Sequence, residues 1–282
     1  MGKLGLVLEG GGMRGLYTAG VLDFFMEHDL YTDGVIGVSA GACHASNYVA
    51  KQIGRAYKIS TDYVKDKRYM SAYSLITTGD LFGSSFIYDE IPNKLNPFDY
   101  DTFNKGKTKL YTVCSNLDTG KAEYLQCINM KIDVAYVRAS ASLPLLSKIV
   151  EIDGKKLLDG GGTDSIPIKH FQEIGYNKNI VVLTQCKEYR KGKNSLLPFI
   201  KKTYKKYPKF IKAMENRHIE YNRTLDELSL MEKEGSVFII RPSSPVTISR
   251  LEKNVHNLKA LYDQGYQDAK DQYEALLEFI AK

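Results

Sequence analysis

Between Leu4 and Ala50 the chain presents two short apolar runs, and each breaks at a tight turn that leads into a helical pattern. Leu4–Leu8 (LGLVL) is continuously apolar, as a strand buried on both faces must be. Gly10, Gly11 and Gly12 interrupt it, and Leu16, Val21, Leu22, Phe25 and Met26 then recur as on a buried helix. Val35–Val38 (VIGV) is a second strand, and AGACHASNYVA from Ala40 onward is a helix of small residues. A strand–helix–strand unit this compact demands a parallel pair joined by a right-handed crossover. The expected fold is therefore α/β: a three-layer sandwich with a mostly parallel central sheet, followed by a helical, basic C-terminal part.

Downstream patterns fill in that frame. From about Arg55 to Gly106 the text is polar, rich in Tyr and weakly periodic, which predicts helices and loops outside the sheet. KLYTVCSNLDTGKAEYLQCI predicts a hairpin turning at Asp118–Lys121. VAYVRASASLPLL predicts a helix stopped by Pro144, and IVEIDGKKLLDGGG two strands around Asp153-Gly154. Asn179–Cys186 and Val237–Pro242 are further strands. Pro208 is expected to split a helical region, Ser249 and Glu252 to form the capping box of the last helix, and Gly265 to divide that helix. The organisation predicted is a catalytic domain over 1–186, with 187–282 packed on the same domain.

Composition removes several function classes. A hydrophobic fraction of 43% with 26% charged residues is ordinary for a globular chain and excludes wholesale disorder. Cys43, Cys114, Cys127 and Cys186 form no CxxC pair, which excludes a zinc ribbon or a dithiol redox motif. No apolar run approaches about 20 residues, so no membrane span is expected. Leu4–Leu8 is too short for a signal-peptide core, and Leu6 occupies the position where a myristoylation signal needs Ser or Thr. The expectation is a cytoplasmic protein.

The chemistry-bearing residues sit at the two turns. Gly37-Val38-Ser39-Ala40-Gly41 is a G-x-S-x-G at a strand-to-helix junction, the setting that projects a nucleophilic serine from a strained elbow. Gly10-Gly11-Gly12-Met13-Arg14-Gly15 also satisfies G-x-G-x-x-G, so a dinucleotide site on the helix N-terminus is the competing reading. That reading needs an acidic residue at the end of the second strand. Val38-Ser39 stands there instead, with Asp29 and Asp33 before the strand. Beside a nucleophile elbow, a glycine loop serves better to aim backbone N–H groups at a developing oxyanion. For a base, Asp159 ends an apolar strand and is followed by Gly160 and Gly161, so partial desolvation can raise its pKa towards a useful range. An ordinary Asp-Gly turn is the alternative use of that sequence. None of His28, His44, His170, His218 and His256 sits in a context marking a catalytic loop.

Taken together, Glu9-Gly-Gly-Gly-Met-Arg-Gly15, Gly37-Val-Ser-Ala-Gly41 and Asp159-Gly-Gly161 resemble the motif set of the patatin-like phospholipase family. Arg138-Ala-Ser-Ala-Ser-Leu-Pro144 and Ile166-Pro167 are similar to that family's segments before and after its aspartate. The resemblance covers roughly Lys3 to His170 and departs from the family at Glu9, where an aspartate is usual. It implies an acyl hydrolase of lipid esters in which Ser39 is the nucleophile and Asp159 its base. The amides of the Gly10–Gly15 loop would form the oxyanion hole. Neither metal nor cofactor is implied. The alternatives are a dinucleotide-binding oxidoreductase and a non-catalytic membrane-surface module.

The net charge of +6 is unevenly distributed: residues 187–217 hold eleven Lys and Arg against two Glu. Lys201, Lys202, Lys205, Lys206 and Lys209 flank Phe199, Ile200, Tyr204 and Phe210, the composition of an interfacial helix contacting an anionic membrane. A solvated face over a buried apolar stripe accounts for the same pattern, and both remain open at this level. No nucleic-acid-binding fold accompanies the charge.

Overall fold

A computed structural model describes residues 2–282. Its strands are β1 (Leu4–Leu8), β2 (Gly34–Val38), β3 (Lys109–Asn116), β4 (Ala122–Cys127), β5 (Val150–Ile152), β6 (Lys155–Asp159), β7 (Lys178–Val182) and β8 (Val237–Ile240). The helices are α1 (Leu16–Glu27), α2 (Ala40–Val49), α3 (Arg55–Asp62), α4 (Ala72–Thr78), α5 (Tyr100–Lys105), α6 (Met130–Ser140), α7 (Ile168–Glu173), α8 (Leu197–Thr203), α9 (Pro208–Lys233), α10 (Val255–Asp271) and α11 (Tyr273–Ala281). A π-helical stretch, Phe86–Leu95, lies between α4 and α5.

The strands form one sheet in the order β5-β6-β3-β2-β1-β7-β8, with β4 also on β3. β3, β2, β1, β7 and β8 run parallel, and β4, β5 and β6 add antiparallel pairs at one side. Side chains alternate between two covered faces. Leu6, Leu8, Ile180, Val182 and Ile240 pack with Tyr17, Phe25 and Tyr48 of α1 and α2, and with Leu261 and Phe279 of α10 and α11. Val7, Ile36, Val38, Val181 and Ile239 pack instead with Phe171 of α7 and with Tyr221 and Leu228 of α9. Helices on both faces of a mainly parallel sheet make the three layers.

One register detail positions the site. β2 pairs with β3 only as far as Val38↔Val113. β4 occupies the other edge of β3 through Ser115. β6 therefore takes the edge that β2 vacates, with Asp159 opposite Cys114. The last residue of β6 lands where β2 ends.

Several boundaries differ from the sequence expectation. α6 stops at Ser140, before Pro144, because the Ser140 hydroxyl turns to the Val113 carbonyl and the Ser142 carbonyl accepts the Asp159 N–H. β7 ends at Val182, where the chain turns to meet Glu9 through Thr184. The final helical region starts at Val255 with Asn254 as its cap, and Glu252 instead accepts from the Lys253 and Asn254 amides. Gly265 does not divide the helix, since α10 runs through it and the break falls at Gln272. A Cβ on Gly265 would lie 2.0 Å from the Tyr17 carbonyl oxygen, and one on Gly20 2.1 Å from that of Tyr262. These glycines let α10 cross α1 backbone against backbone. Pro208 opens α9 at its first turn and separates it from α8 as expected.

Candidate active site

Ser39 follows β2 with φ 55° and ψ −123°, a left-handed conformation that costs a non-glycine residue on the order of 1–3 kcal/mol. The surroundings hold it there. Its N–H donates to the Ser140 hydroxyl at 3.0 Å, and that hydroxyl donates to the Val113 carbonyl at 2.6 Å. Its own carbonyl accepts from the amides of Ala42 and Cys43 and so starts α2. The turn closes only on glycine: a Cβ would sit 2.6 Å from the Ala42 nitrogen at Gly37, and 2.6 Å from the Leu8 carbonyl at Gly41. Val38 and Ala40 complete this elbow, Val38 buried and Ala40 on the cavity wall.

The glycine loop lies against the same turn, with the Cβ position of Gly10 2.9 Å from the Ser39 Cβ. Among the described residues, no protein group accepts from the amides of Gly10, Gly11 or Gly12. The Met13 N–H goes to the Arg250 carbonyl at 3.0 Å and the Arg14 N–H to that of Gly11 at 3.3 Å. Gly15 packs on the His44 ring. Glu9 anchors the loop: its buried carboxylate accepts from the Thr184 N–H (2.8 Å) and hydroxyl (3.0 Å) and from the Tyr221 hydroxyl (2.6 Å). The extra methylene relative to aspartate is accommodated by partners from β7's end and α9.

Asp159 is buried beside this turn, and its Oδ1 accepts from the Gly161 N–H at 2.8 Å. Oδ2 is buried and closes no hydrogen bond of ordinary geometry. Burial pushes the carboxyl pKa up, opposed by the adjacent Ser39 hydroxyl, the Gly161 N–H, and the charges of Arg217 and Arg250. Gly160 lies flat on the Val113 backbone. No histidine nitrogen hydrogen-bonds to Ser39 or Asp159 among the described residues. His28 bonds the Phe24 carbonyl and His170 stacks on Tyr124, while burial pushes His44 down to about 4 and keeps it neutral.

An apolar cavity of about 150 Å³ opens at Ser39, walled by Leu16, Cys43, Ile59, Tyr88, Val134 and others from α1, α2, α3, α6 and the π-helical stretch. The structure thus brings Ser39, the glycine loop and Asp159 together, and Gly12, Met13 and Ser39 line this cavity. Sequence reading did not single out Ser140, which sits inside the quoted Arg138–Pro144 segment. Nor did it find Arg217, whose Nε donates to the Gly161 carbonyl, or Arg250. Arg217 lies in the basic stretch, where it read only as charge, and Arg250 inside the expected Ser249–Glu252 capping box, where nothing pointed to the site.

A left-handed serine between a glycine loop and a buried aspartate, at the carboxyl ends of parallel strands, defines a class. The chain belongs to the patatin-like phospholipase family, whose model matches residues 6–171. A second match, to a domain of unknown function (DUF6363), covers residues 207–281. The uncharacterized protein YjjU of Escherichia coli is 32% identical over 193 residues, 65% of this chain and 52% of YjjU. The lysophospholipase nte1 of Aspergillus oryzae is 28% identical over 183 residues, 61% of this chain and 11% of that protein. The chain thus matches about half the length of one relative and a small part of the other. Among solved structures, VipD from Legionella pneumophila aligns with a TM-score of 0.47 and 14% identity, over 98% of this chain and 67% of that one. No described helix is long and apolar enough to cross a membrane.

Proposed function

We propose that the chain hydrolyses carboxylic esters of lipids by a Ser39–Asp159 dyad. The observation that carries this reading is the arrival of a buried carboxylate, with one oxygen unpartnered, at the turn that holds a strained serine. Asp159 takes the Ser39 proton as the hydroxyl oxygen attacks the ester carbonyl. The amides of Gly10, Gly11 and Gly12 receive the oxyanion, and Met13, whose N–H is already bonded, is not among the donors. Collapse of the tetrahedral intermediate breaks the acyl–oxygen bond, and Asp159 returns the proton to the leaving alcohol. Water then releases the acid from the acyl-serine by the same steps. The apolar cavity accepts the acyl chain. Membership of a phospholipase family and likeness to a lysophospholipase support lipid esters as the substrate class. The dinucleotide reading is disfavoured because the only carboxylate of the glycine loop, Glu9, is already fully engaged.

A fluorophosphonate probe tests the dyad directly, because it reacts with an activated serine. The intact protein should gain one adduct, and Ser39→Ala none. Equal labelling of both would overturn the assignment. We also propose a peripheral contact with anionic membrane through Lys202, Lys205, Lys206 and Lys209, with Lys201 paired to Glu215 at 2.5 Å.

A further inference from the structure

A second cavity, of about 280 Å³, shares no lining residue with the apolar one. Its walls carry Lys191, Lys193, Arg217, His218 and Arg250, and no carboxylate lines it. Among the described residues none of these Lys and Arg side chains forms an ion pair, although nine other Lys and Arg side chains do. The neighbouring carboxylates make no ion pair with them: Glu9 bonds Thr184 and Tyr221, Asp159 bonds Gly161 through Oδ1, and both act on the cluster only through space. Lys191 rests instead over the Tyr221 ring, 3.9 Å from its centroid. Burial, and then the neighbouring Arg217, pushes its pKa down to about 7. Burial followed by Arg250 likewise lowers that of Arg217. Burial and mutual repulsion outweigh the through-space pull of Glu9 and Asp159 at Lys191 and Arg217, and an anion in the cavity relieves that remaining cost.

This cavity borders the ester site. The Arg250 carbonyl binds the Met13 N–H, and the Arg250 Cβ lies 3.2 Å from the Cβ position of Gly12. Arg217 touches the Gly161 carbonyl. We propose that the basic cavity is the subsite for the phosphate of an anionic lipid whose ester carbonyl lies at Ser39. Two guanidinium groups and an ammonium suit phosphate, since Arg presents paired N–H donors to its oxygens. A neutral acylglycerol would leave the cluster uncompensated. The proposal rests on the ester-hydrolase reading and names its substrate class: a phosphate-bearing acyl ester rather than a neutral one.

The test compares 1-acylglycerol 3-phosphate with the 1-acylglycerol of the same chain length, and titrates inorganic phosphate separately. For the wild type, kcat/KM should favour the phosphate-bearing lipid by roughly tenfold or more, the scale of one charge-assisted hydrogen bond. In Lys191→Gln/Arg250→Gln that preference should fall at least about tenfold, mainly through KM. Inorganic phosphate should raise the melting temperature and compete with the phosphate-bearing lipid. A preference near one in the wild type, or an equal loss on both lipids in the variant, overturns the proposal. Phosphate that binds without competing marks a site for the free ion and also overturns it. Should the double variant not fold, Lys193→Gln alters only an exposed side chain, and an unchanged preference there decides against the subsite. If neither lipid turns over and no fluorophosphonate adduct forms, the hydrolase reading has failed. Phosphate stabilisation lost in Lys193→Gln would then still support the anion site, and no stabilisation would refute it.

Discussion

At the residue scale, the buried Asp159 carboxyl governs the pH behaviour. A general base must be ionised, so kcat/KM should fall as pH drops through the Asp159 pKa. Burial raises that pKa above the ordinary 3.8, and the acid limb should therefore lie above that value in a pH–rate profile. Arg217 pulls in the opposite direction, and Arg217→Gln should shift the limb to higher pH, a displacement that a purely structural defect would not produce. Asp159→Asn should keep the fold by circular dichroism and lose on the order of 10²–10⁴ in turnover. His256→Ala, remote from both residues of the dyad, should stay active. An acid limb at the ordinary Asp value, or full activity in Asp159→Asn, would remove the aspartate from the mechanism.

At the scale of elements, the decisive contact is α1 against α10. Gly20 and Gly265 each face the other helix's backbone at about 2 Å from where a side chain would begin. Tyr17 and Ser243 both donate to the buried Asp268 of α10, and Tyr262 donates to Asp23 of α1, tying the same pair by hydrogen bonds. Overpacking a tight contact typically costs about 1–3 kcal/mol, and displacing backbone rather than side chain places Gly265→Val at the upper end. Its denaturation midpoint should fall accordingly, with the slope unchanged. A Gly265→Val protein as stable as wild type would show that the helices can part freely. Because α1 follows the glycine loop directly, the residues beyond 186 also support the site's geometry.

For the molecule as a whole, the basic segment has two outlets. Its apolar stripe is mostly core: Ile200, Tyr204, Phe210 and Met214 are buried, while Leu196 and Phe199 are exposed. The structure therefore removes most of the hydrophobic anchor that the sequence pattern offered and leaves the lysines as a charged face. Each lysine near an anionic bilayer contributes about 1 kcal/mol, so three or four together suffice for reversible attachment. Co-sedimentation with anionic vesicles should exceed that with neutral ones and fall with salt. It should fall further in Lys202→Glu/Lys205→Glu/Lys206→Glu/Lys209→Glu. Equal binding by that variant would show the segment to be only a solvated face.

The sequence by itself determined the elements whose information is local. Leu4–Leu8 and Val35–Val38 read as buried strands from continuous apolarity, and the elbow and glycine loop from residues within a few positions of one another. The parallel α/β class and the candidates Ser39 and Asp159 followed, the second with help from family resemblance. Tertiary structure decided what depends on register and packing between distant segments. Nothing local says that β6 takes over the edge of β3 that β2 leaves, yet that pairing sets Asp159 beside Ser39. Ser140 supports an amide 101 residues away, and Tyr221 holds a carboxylate 212 residues away. Gly265 read as a helix break because glycine is a poor helix former, whereas in the fold its missing side chain admits a neighbouring helix. Charge likewise read only as charge: whether Lys191, Arg217 and Arg250 face solvent or share one cavity depends on where α9 and the strand-to-helix loops come to rest. Periodicity and turn chemistry act over a few residues, but a site assembled from five segments exists only once the sheet has set their register.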